Sequence, residues 1–258
     1  MKVVILCGGL GTRLREETVF IPKPMVQIGD RPIIWHVMKL YAQYGHTDFV
    51  LALGYKGEVI REYFYEYEVM NCDITVDLAH REPPKIHKNH NEHDWKVTLV
   101  DTGQATLKGG RLKRVEPYIG DDLLLVTYGD GLANVNINEL IAFHRSHGRI
   151  ATVTGVTIAS RFGELEIEGD QVLAIAEKPQ KSDDFANGGF FVFDRRIFDY
   201  LTPNEDCDLE VGALERVAQD GQLMVRRHTG FWGCMDTQRD RDYLNGIWEK
   251  GNAPWKVW

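Results

Sequence analysis

Val3-Val4-Ile5-Leu6-Cys7-Gly8-Gly9-Leu10-Gly11-Thr12-Arg13-Leu14, with Pro22-Lys23-Pro24 close behind, is the stretch that decides the fold. Val3 to Leu6 is a short, β-branched apolar run, the pattern of a buried strand. Three glycines among the next five residues leave the chain after that strand with few side chains. Such a backbone turns sharply and offers bare N–H groups to an anion. Arg13 and Lys23 place two cations beside the turn, and Pro22 and Pro24 are expected to hold the chain around Lys23 extended. A glycine turn at the carboxyl end of a first strand, carrying its own positive charge, suits a polyphosphate. Neither familiar phosphate loop fits. No Gly-x4-Gly-Lys-Ser/Thr run exists, and the Gly-x-Gly-x-x-Gly fingerprint fails at Leu14, where a glycine normally allows close helix–strand packing.

Working outward, strands are expected at 3–7, 48–53, 73–78, 96–100, 123–127 and 151–156. Helices are expected at 32–44, 58–67, 111–118 and 138–147. Pro32 opens the first helix, and Gly45 and Gly148 stop the first and last. This alternation predicts an α/β fold, a Rossmann-like doubly wound mixed sheet whose ligand sits beyond the carboxyl ends of its strands. From residue 162 the pattern turns hairpin-like (165–168 and 171–176), a small β-rich appendage, before helices at about 209–220 and 238–249. Residues 80–95 form a polar, histidine-bearing insert, read as a solvated excursion rather than a metal site.

The chain has 258 residues, 43% of them hydrophobic, enough for one large domain over 1–258. A net charge of −8 and a pI of about 5.6 argue against a general nucleic-acid or membrane surface. Met1-Lys2 leads straight into a strand, and no apolar run approaches the ~20 residues that span a bilayer. Cys7, Cys72, Cys207 and Cys234 form no CxxC pair, so reduced thiols and a cytoplasmic setting are expected. Like charges ~4 Å apart at an effective dielectric of ~20 repel by about 4 kcal/mol. An acidic protein that binds polyphosphates therefore calls for a divalent cation and for carboxylates to hold it.

Asp130, between Gly129 and Gly131 after a buried run, has room for a hard cation, although a turn aspartate looks the same. Asp236 follows the apolar Phe231-Trp232-Gly233-Cys234-Met235 and serves equally well as the N-cap of the last helix. Asn187-Gly188-Gly189 suits a sugar, because its glycines admit close backbone approach and its amide both donates and accepts.

Gly8-Gly9-Leu10-Gly11-Thr12-Arg13-Leu14 with Pro22-Lys23-Pro24 closely resembles the signature of the sugar-1-phosphate nucleotidylyltransferases. The resemblance continues in Tyr128-Gly129-Asp130-Gly131, Glu177-Lys178-Pro179, Asn187-Gly188-Gly189-Phe190-Phe191 and Met235-Asp236-Thr237. Val100-Asp101-Thr102-Gly103, Gly109-Gly110-Arg111-Leu112-Lys113 and the ending from Tyr243 to Lys256 narrow it to the cytidylyl-transferring branch that acts on glucose 1-phosphate. It spans residues 1–258, with 1–156 as the nucleotide part and 157–258 as the sugar-phosphate part.

The resemblance implies CTP and glucose 1-phosphate as substrates, Mg²⁺ as cofactor, no nucleic-acid or membrane partner, and a homo-oligomer. It implies that Asp130 and Asp236 share one Mg²⁺. It sets Leu6, Cys7, Gly8, Gly9, Leu10, Gly11, Thr12, Arg13, Lys23, Thr106, Arg111 and Gly129 around the nucleotide. Glu177, Lys178, Asn187 and Gly188 fall to the sugar phosphate. The catalytic set is then Arg13, Lys23, Asp130, Lys178 and Asp236. A phosphate oxygen of glucose 1-phosphate is already anionic at neutral pH, so in-line attack on the α-phosphorus needs no general base and rests on positioning and neutralisation. The alternatives are transfer of another nucleotidyl group to another sugar 1-phosphate, or a non-catalytic regulatory subunit. The second is expected to have lost one or more of the five charged residues, and all five are present.

Overall fold

The computed structural model describes residues 1–80, 82–87, 91–92, 94–157, 164–168, 171–176 and 185–258. Seven strands build the central sheet: β1 (Val3–Leu6), β2 (Asp48–Leu53), β3 (Lys96–Asp101), β4 (Leu123–Tyr128), β5 (Ala151–Val156), β6 (Ala186–Asp194) and β7 (Leu223–His228). Their order is β7-β5-β6-β4-β1-β2-β3. The β3-β2-β1-β4 half is parallel throughout, with Val4 opposite both Val50 and Val126. β6 runs antiparallel to β4 and β5, which makes the sheet mixed.

Among the helices are α1 (Ile33–Gln43), α2 (Gly57–Tyr65), α3 (Lys108–Arg114), α4 (Ile137–His147), α5 (Glu215–Gln219) and α6 (Gln238–Glu249). Both faces of the sheet are covered, so β1 needs apolar residues at every position. Val3 and Ile5 pack in a cluster with Ile33, Val37, Leu244 and Trp255, while Val4 and Leu6 pack in another with Leu112, Phe198 and Val217. The chain reverses its winding between β1 and β4, and their carboxyl ends lie side by side there. This is the crevice where open α/β sheets bind ligands.

Several boundaries differ from expectation, each for a local reason. β6 and β7 were not anticipated, because Asn187-Gly188-Gly189 reads as loop and β7 is a largely polar edge strand whose Arg226 and Arg227 are exposed. The expected strand at 73–78 is shorter, Asp73–Thr75, and pairs with Lys85–His87 as a hairpin apart from the main sheet. α3 starts three residues early, since Gly109 and Gly110 let it lie directly on the backbone of Asn204 to Asp208. The helix expected at 209–220 is broken at Val211 (ψ 119°) and Gly212 (φ 92°). The hairpin of Glu164–Glu168 with Gln171–Ala176 forms as expected. No helix among the described residues is long and apolar enough to cross a membrane.

Trp248, Trp255 and Trp258 anchor the C-terminal tail against Trp35 and His36 of the same chain. In the insert, His80 pairs with Asp77 at 2.7 Å and His87 with Thr75 at 3.1 Å. His90 and His93 of the insert lie outside the described residues.

Candidate active site

The crevice between β1 and β4 opens into a cavity of about 510 Å³. Its floor is the backbone of Leu6 to Gly9 and of Gly129. Gly11 adopts φ +62°, a conformation that favours glycine, and its carbonyl accepts from Leu14 N and from the Thr18 hydroxyl. The turn is thereby fixed before any ligand arrives. Thr12, Arg13 and Lys23 line the same cavity with Thr106, Arg111, Asp130, Asn187 and Asp236.

Lys23 differs from expectation in its backbone. Pro22 is extended (φ −68°, ψ 148°), but Lys23 itself opens a 3₁₀ turn through Met25. Pro24 fits that first turn because it gives up no needed N–H. The turn aims the Lys23 side chain at the two predicted carboxylates. Its Nζ lies 2.6 Å from Asp130 Oδ2 and 2.6 Å from Asp236 Oδ1, and Arg13 Nη1 donates to Asp236 Oδ2 at 2.8 Å. Burial works against the Lys23 charge, but Asp130 and Asp236 outweigh it and its pKa rises above the usual lysine range. Burial likewise opposes the Asp236 carboxylate, and the hydrogen bond and charge of Lys23, with the charge of Arg13, hold it below the usual range.

Asp236 is not the helix cap. That role falls to Thr237, whose hydroxyl accepts from Asp240 N while the Asp240 carboxylate accepts from Thr237 N. Asp236 is left to face the cavity. Cys234 joins the two aspartates, and ligand atoms of all three lie within 4.8 Å of one another. This is the one such group of three potential ligands among the described residues. An ammonium already bridging two carboxylates shows that the spot is built for positive charge, so the donors fit a hard divalent cation.

Arg111, expected around the nucleotide, lines the cavity while its guanidinium is tied to the protein's own oxygens. Its guanidinium is buried and donates to the carbonyls of Gly8, Leu53, Gly103 and Gln104 and to the Thr102 hydroxyl, at 2.6 to 3.1 Å. A Cβ on Gly8 or Gly54 would fall inside it. The first glycine of the loop is therefore space for this arginine, which ties the loop to the ends of β2 and β3. Thr106, the expected base-loop residue, accepts from Arg114 at 2.8 Å.

Leu10 points away, about half exposed, and Gly188 lies outside the cavity lining, its carbonyl accepting from Trp232 Nε1 at 2.8 Å. Glu177 and Lys178 lie outside the described residues. Sequence reasoning missed Pro24, Lys108, Trp232 and Cys234 as lining residues, and gave Tyr128 no role. Pro24 packs on Gly129, where a Cβ would be 3.0 Å from its ring, so the Pro-Lys-Pro segment and the Gly-Asp-Gly turn seat each other. The Cys7 thiol is buried at the end of β1, and burial and then Asp130 push its pKa up.

Residues 2–246 match the nucleotidyl transferase family. The chain is 49% identical over 259 residues to the glucose-1-phosphate cytidylyltransferase of Salmonella typhi, covering the whole of both chains. It is 45% identical over 258 residues to a protein of Bacillus subtilis (strain 168) named probable glucose-1-phosphate cytidylyltransferase, again over the whole of both. Among solved structures, UDP-glucose pyrophosphorylase complexed with UDP-glucose superposes with a TM-score of 0.69 at 17% identity, over 97% of this chain and 98% of that one. At that identity the likeness speaks for the fold alone. With a family match over most of its length and full-length relatives sharing 45% and 49% of its residues, the chain belongs to the nucleotidyl transferase family.

Proposed function

We propose that the chain transfers CMP from CTP to α-D-glucose 1-phosphate, giving CDP-glucose and pyrophosphate. The observation that carries this reading is the convergence of Arg13, Lys23, Asp130 and Asp236 on one cavity, in a chain 49% identical end to end to a glucose-1-phosphate cytidylyltransferase.

The loop amides from Gly8 to Thr12 and the Arg13 guanidinium hold the β- and γ-phosphates that leave. Lys23 neutralises charge between the incoming phosphate and the α-phosphorus. Asn187 meets the sugar, with Gly188 beside it letting the strand pack closely on Val156, and with Glu177 on the sugar hydroxyls and Lys178 on its phosphate. Arg111 serves the nucleotide indirectly, by holding the loop that the phosphates touch. The bound phosphate oxygen is already a nucleophile, so these residues work by alignment and charge neutralisation without moving a proton. Mg²⁺, held by Asp130 and Asp236, would supply charge neutralisation of the triphosphate.

The reading extends to one catalytic domain over residues 1–258, with its nucleotide half in 1–156 and its sugar half in 157–258. It places the enzyme in the cytoplasm, supported by four free cysteines. It also includes a homo-oligomer, in which a second copy would cover some of the large apolar side chains that are individually exposed, such as Tyr65, Met70 and Leu78. Light scattering on the purified protein tests the oligomer, and a monomeric mass would refute it. The function is tested by incubating the protein with Mg²⁺, glucose 1-phosphate and each NTP in turn while assaying pyrophosphate. Release with CTP is the expected result; release with none would leave a non-catalytic binding protein.

A further inference from the structure

Tyr128, the last residue of β4, lines the cavity beside Asn187 and is held on several sides. Its ring lies over Gly189, where φ is +78° and a Cβ would come within 2.5 Å of a ring carbon. The edge of Phe191 meets it at 5.8 Å between centroids, and the Lys108 ammonium sits 5.7 Å from its centroid. Its hydroxyl joins two groups that the sequence keeps far apart. Asn187 Nδ2 donates to it at 3.2 Å, and it donates in turn to Glu210 Oε1. Glu210 Oε2 completes the chain with an ion pair to Lys108 at 2.6 Å.

The order of these bonds fixes the direction of each proton. An ionised carboxylate only accepts, so Glu210 draws the phenolic hydrogen toward itself. The hydroxyl then presents a lone pair to Asn187, which must answer with its N–H. Gly189 N donates to Asn187 Oδ1 at 2.9 Å, so the other end of the carboxamide is held too. One N–H and one oxygen lone pair of Asn187 remain for a ligand, in known positions. Burial, and then the Glu210 charge, keep the Tyr128 hydroxyl protonated well above the usual tyrosine range. Glu210 is aimed inward because the backbone breaks just beyond it, with Asp208 Oδ1 accepting from the amides of Glu210 and Val211 at 2.9 and 3.0 Å.

We propose that Tyr128 is a positioning residue for the sugar phosphate: through its hydroxyl it sets the orientation of the Asn187 carboxamide, and through Glu210 it links that carboxamide to Lys108 on the nucleotide side. This rests on the reading above that Asn187 meets the sugar. A bond chain of this kind acts through its last member, so its loss should not add to loss of that member.

The test is a double-mutant cycle on the full chain with KM measured separately for each substrate. Tyr128→Phe keeps the ring and its packing and removes only the hydroxyl. The expected result is a roughly 10-fold rise in KM for glucose 1-phosphate, with KM for CTP and the thermal midpoint unchanged. Asn187→Ala should raise the same KM at least as far, and the double variant should be no worse than Asn187→Ala alone. Glu210→Gln, which leaves the hydroxyl but loses the charge that directs its proton, should shift the same KM in the same direction. Additive effects of the two single variants, or an equal rise in KM for CTP, would overturn the proposal. Wild-type protein that uses a different sugar 1-phosphate would correct the substrate reading alone, and the cycle would then be run with that sugar. Wild-type protein that uses no sugar 1-phosphate would end both.

Discussion

Lys23 Nζ and Asp130 Oδ2 lie 2.6 Å apart although 107 residues separate them, and the same ammonium is 2.6 Å from Asp236. Arg13 completes the group from the other side of Asp236. Two cations suited to phosphate are therefore paired with two carboxylates suited to a metal. The free site is internally neutral, and its parts must change partners when substrates arrive. A divalent cation entering between the carboxylates meets the Lys23 charge, and at ~4 Å with an effective dielectric of ~20 each pair of like unit charges costs about 4 kcal/mol. A metal held by Asp130 and Asp236 would therefore have to displace Lys23 from them.

Lys23→Ala should therefore have two effects of opposite appearance. Loss of one electrostatic stabiliser lowers kcat by on the order of 10²-fold or more. Loss of the competing ammonium tightens metal binding by roughly 10-fold or more, by the same repulsion. Mn²⁺ titration followed by electron paramagnetic resonance, without nucleotide, reads the second effect directly. Mn²⁺ affinity equal to or below wild type would show that Lys23 and the metal do not compete.

Asp130→Asn leaves Asp236 with both cations and removes half of the carboxylate pair. The Mg²⁺ concentration for half-maximal rate should rise by about 10-fold or more, the scale of one charge-assisted contact. An unchanged Mg²⁺ titration would remove Asp130 from the ligand set.

The glycine loop and Lys23 could be read from local sequence as a cationic turn at a strand end, whereas Asp130 and Asp236 each had an equally good local reading and were paired only by the family resemblance. What pairs with what could not be read. Tyr128, Asn187 and Glu210 meet because β4 pairs antiparallel with β6, a register set by Thr127 opposite Phe190 and Val126 opposite Phe191. The glycines that open β6 looked like loop, so the strand carrying Asn187 was itself overlooked. The partners of Arg111 were equally hidden: the two glycines before it let α3 pack closely, and its guanidinium is buried among carbonyls that come from other parts of the chain. Asp236 and Thr237 exchanged roles for a simpler reason, since adjacent residues cap equally well by pattern and only the helix start separates them.

Arg111→Lys should damage stability and nucleotide binding together. Burial, and then the nearby Arg114, depress the Arg111 pKa, so this charge is kept by the five oxygens around it and not by a carboxylate in contact. A lysine has three donors and no fork, and would leave at least two buried acceptors unanswered. The expected cost is about 2–4 kcal/mol in urea unfolding, with KM for CTP raised as the Gly8 loop loosens. Unfolding free energy within 0.5 kcal/mol of wild type, roughly the scatter of surface substitutions, would refute the keystone role.

His36 gives the stability a pH dependence whose sign can be worked out. The ring is buried among Trp35, Trp248 and Trp255, with Nε2 2.9 Å from the Ile28 carbonyl and Nδ1 facing the Trp255 N–H at 3.5 Å. The neutral Nε2–H tautomer satisfies both neighbours, donating to Ile28 and accepting from Trp255. A second proton on Nδ1 would face another donor. Burial is the largest cause of a pKa pushed down to about 4. As pH falls below about 6.5, the unfolded chain takes up a proton that the folded one refuses, so stability is complete above that value and declines toward pH 4. By pH 5 the loss from His36 reaches about 2 kcal/mol. His144, buried against Thr152 and pushed down to about 4 mainly by burial, adds to it in the same direction. Urea unfolding at pH 7 and pH 5 should show the decline, and His36→Gln, whose amide can still donate to Ile28, should lose less over the same interval. Equal losses in the variant and the wild type would mean that His36 is not the group taking up the proton.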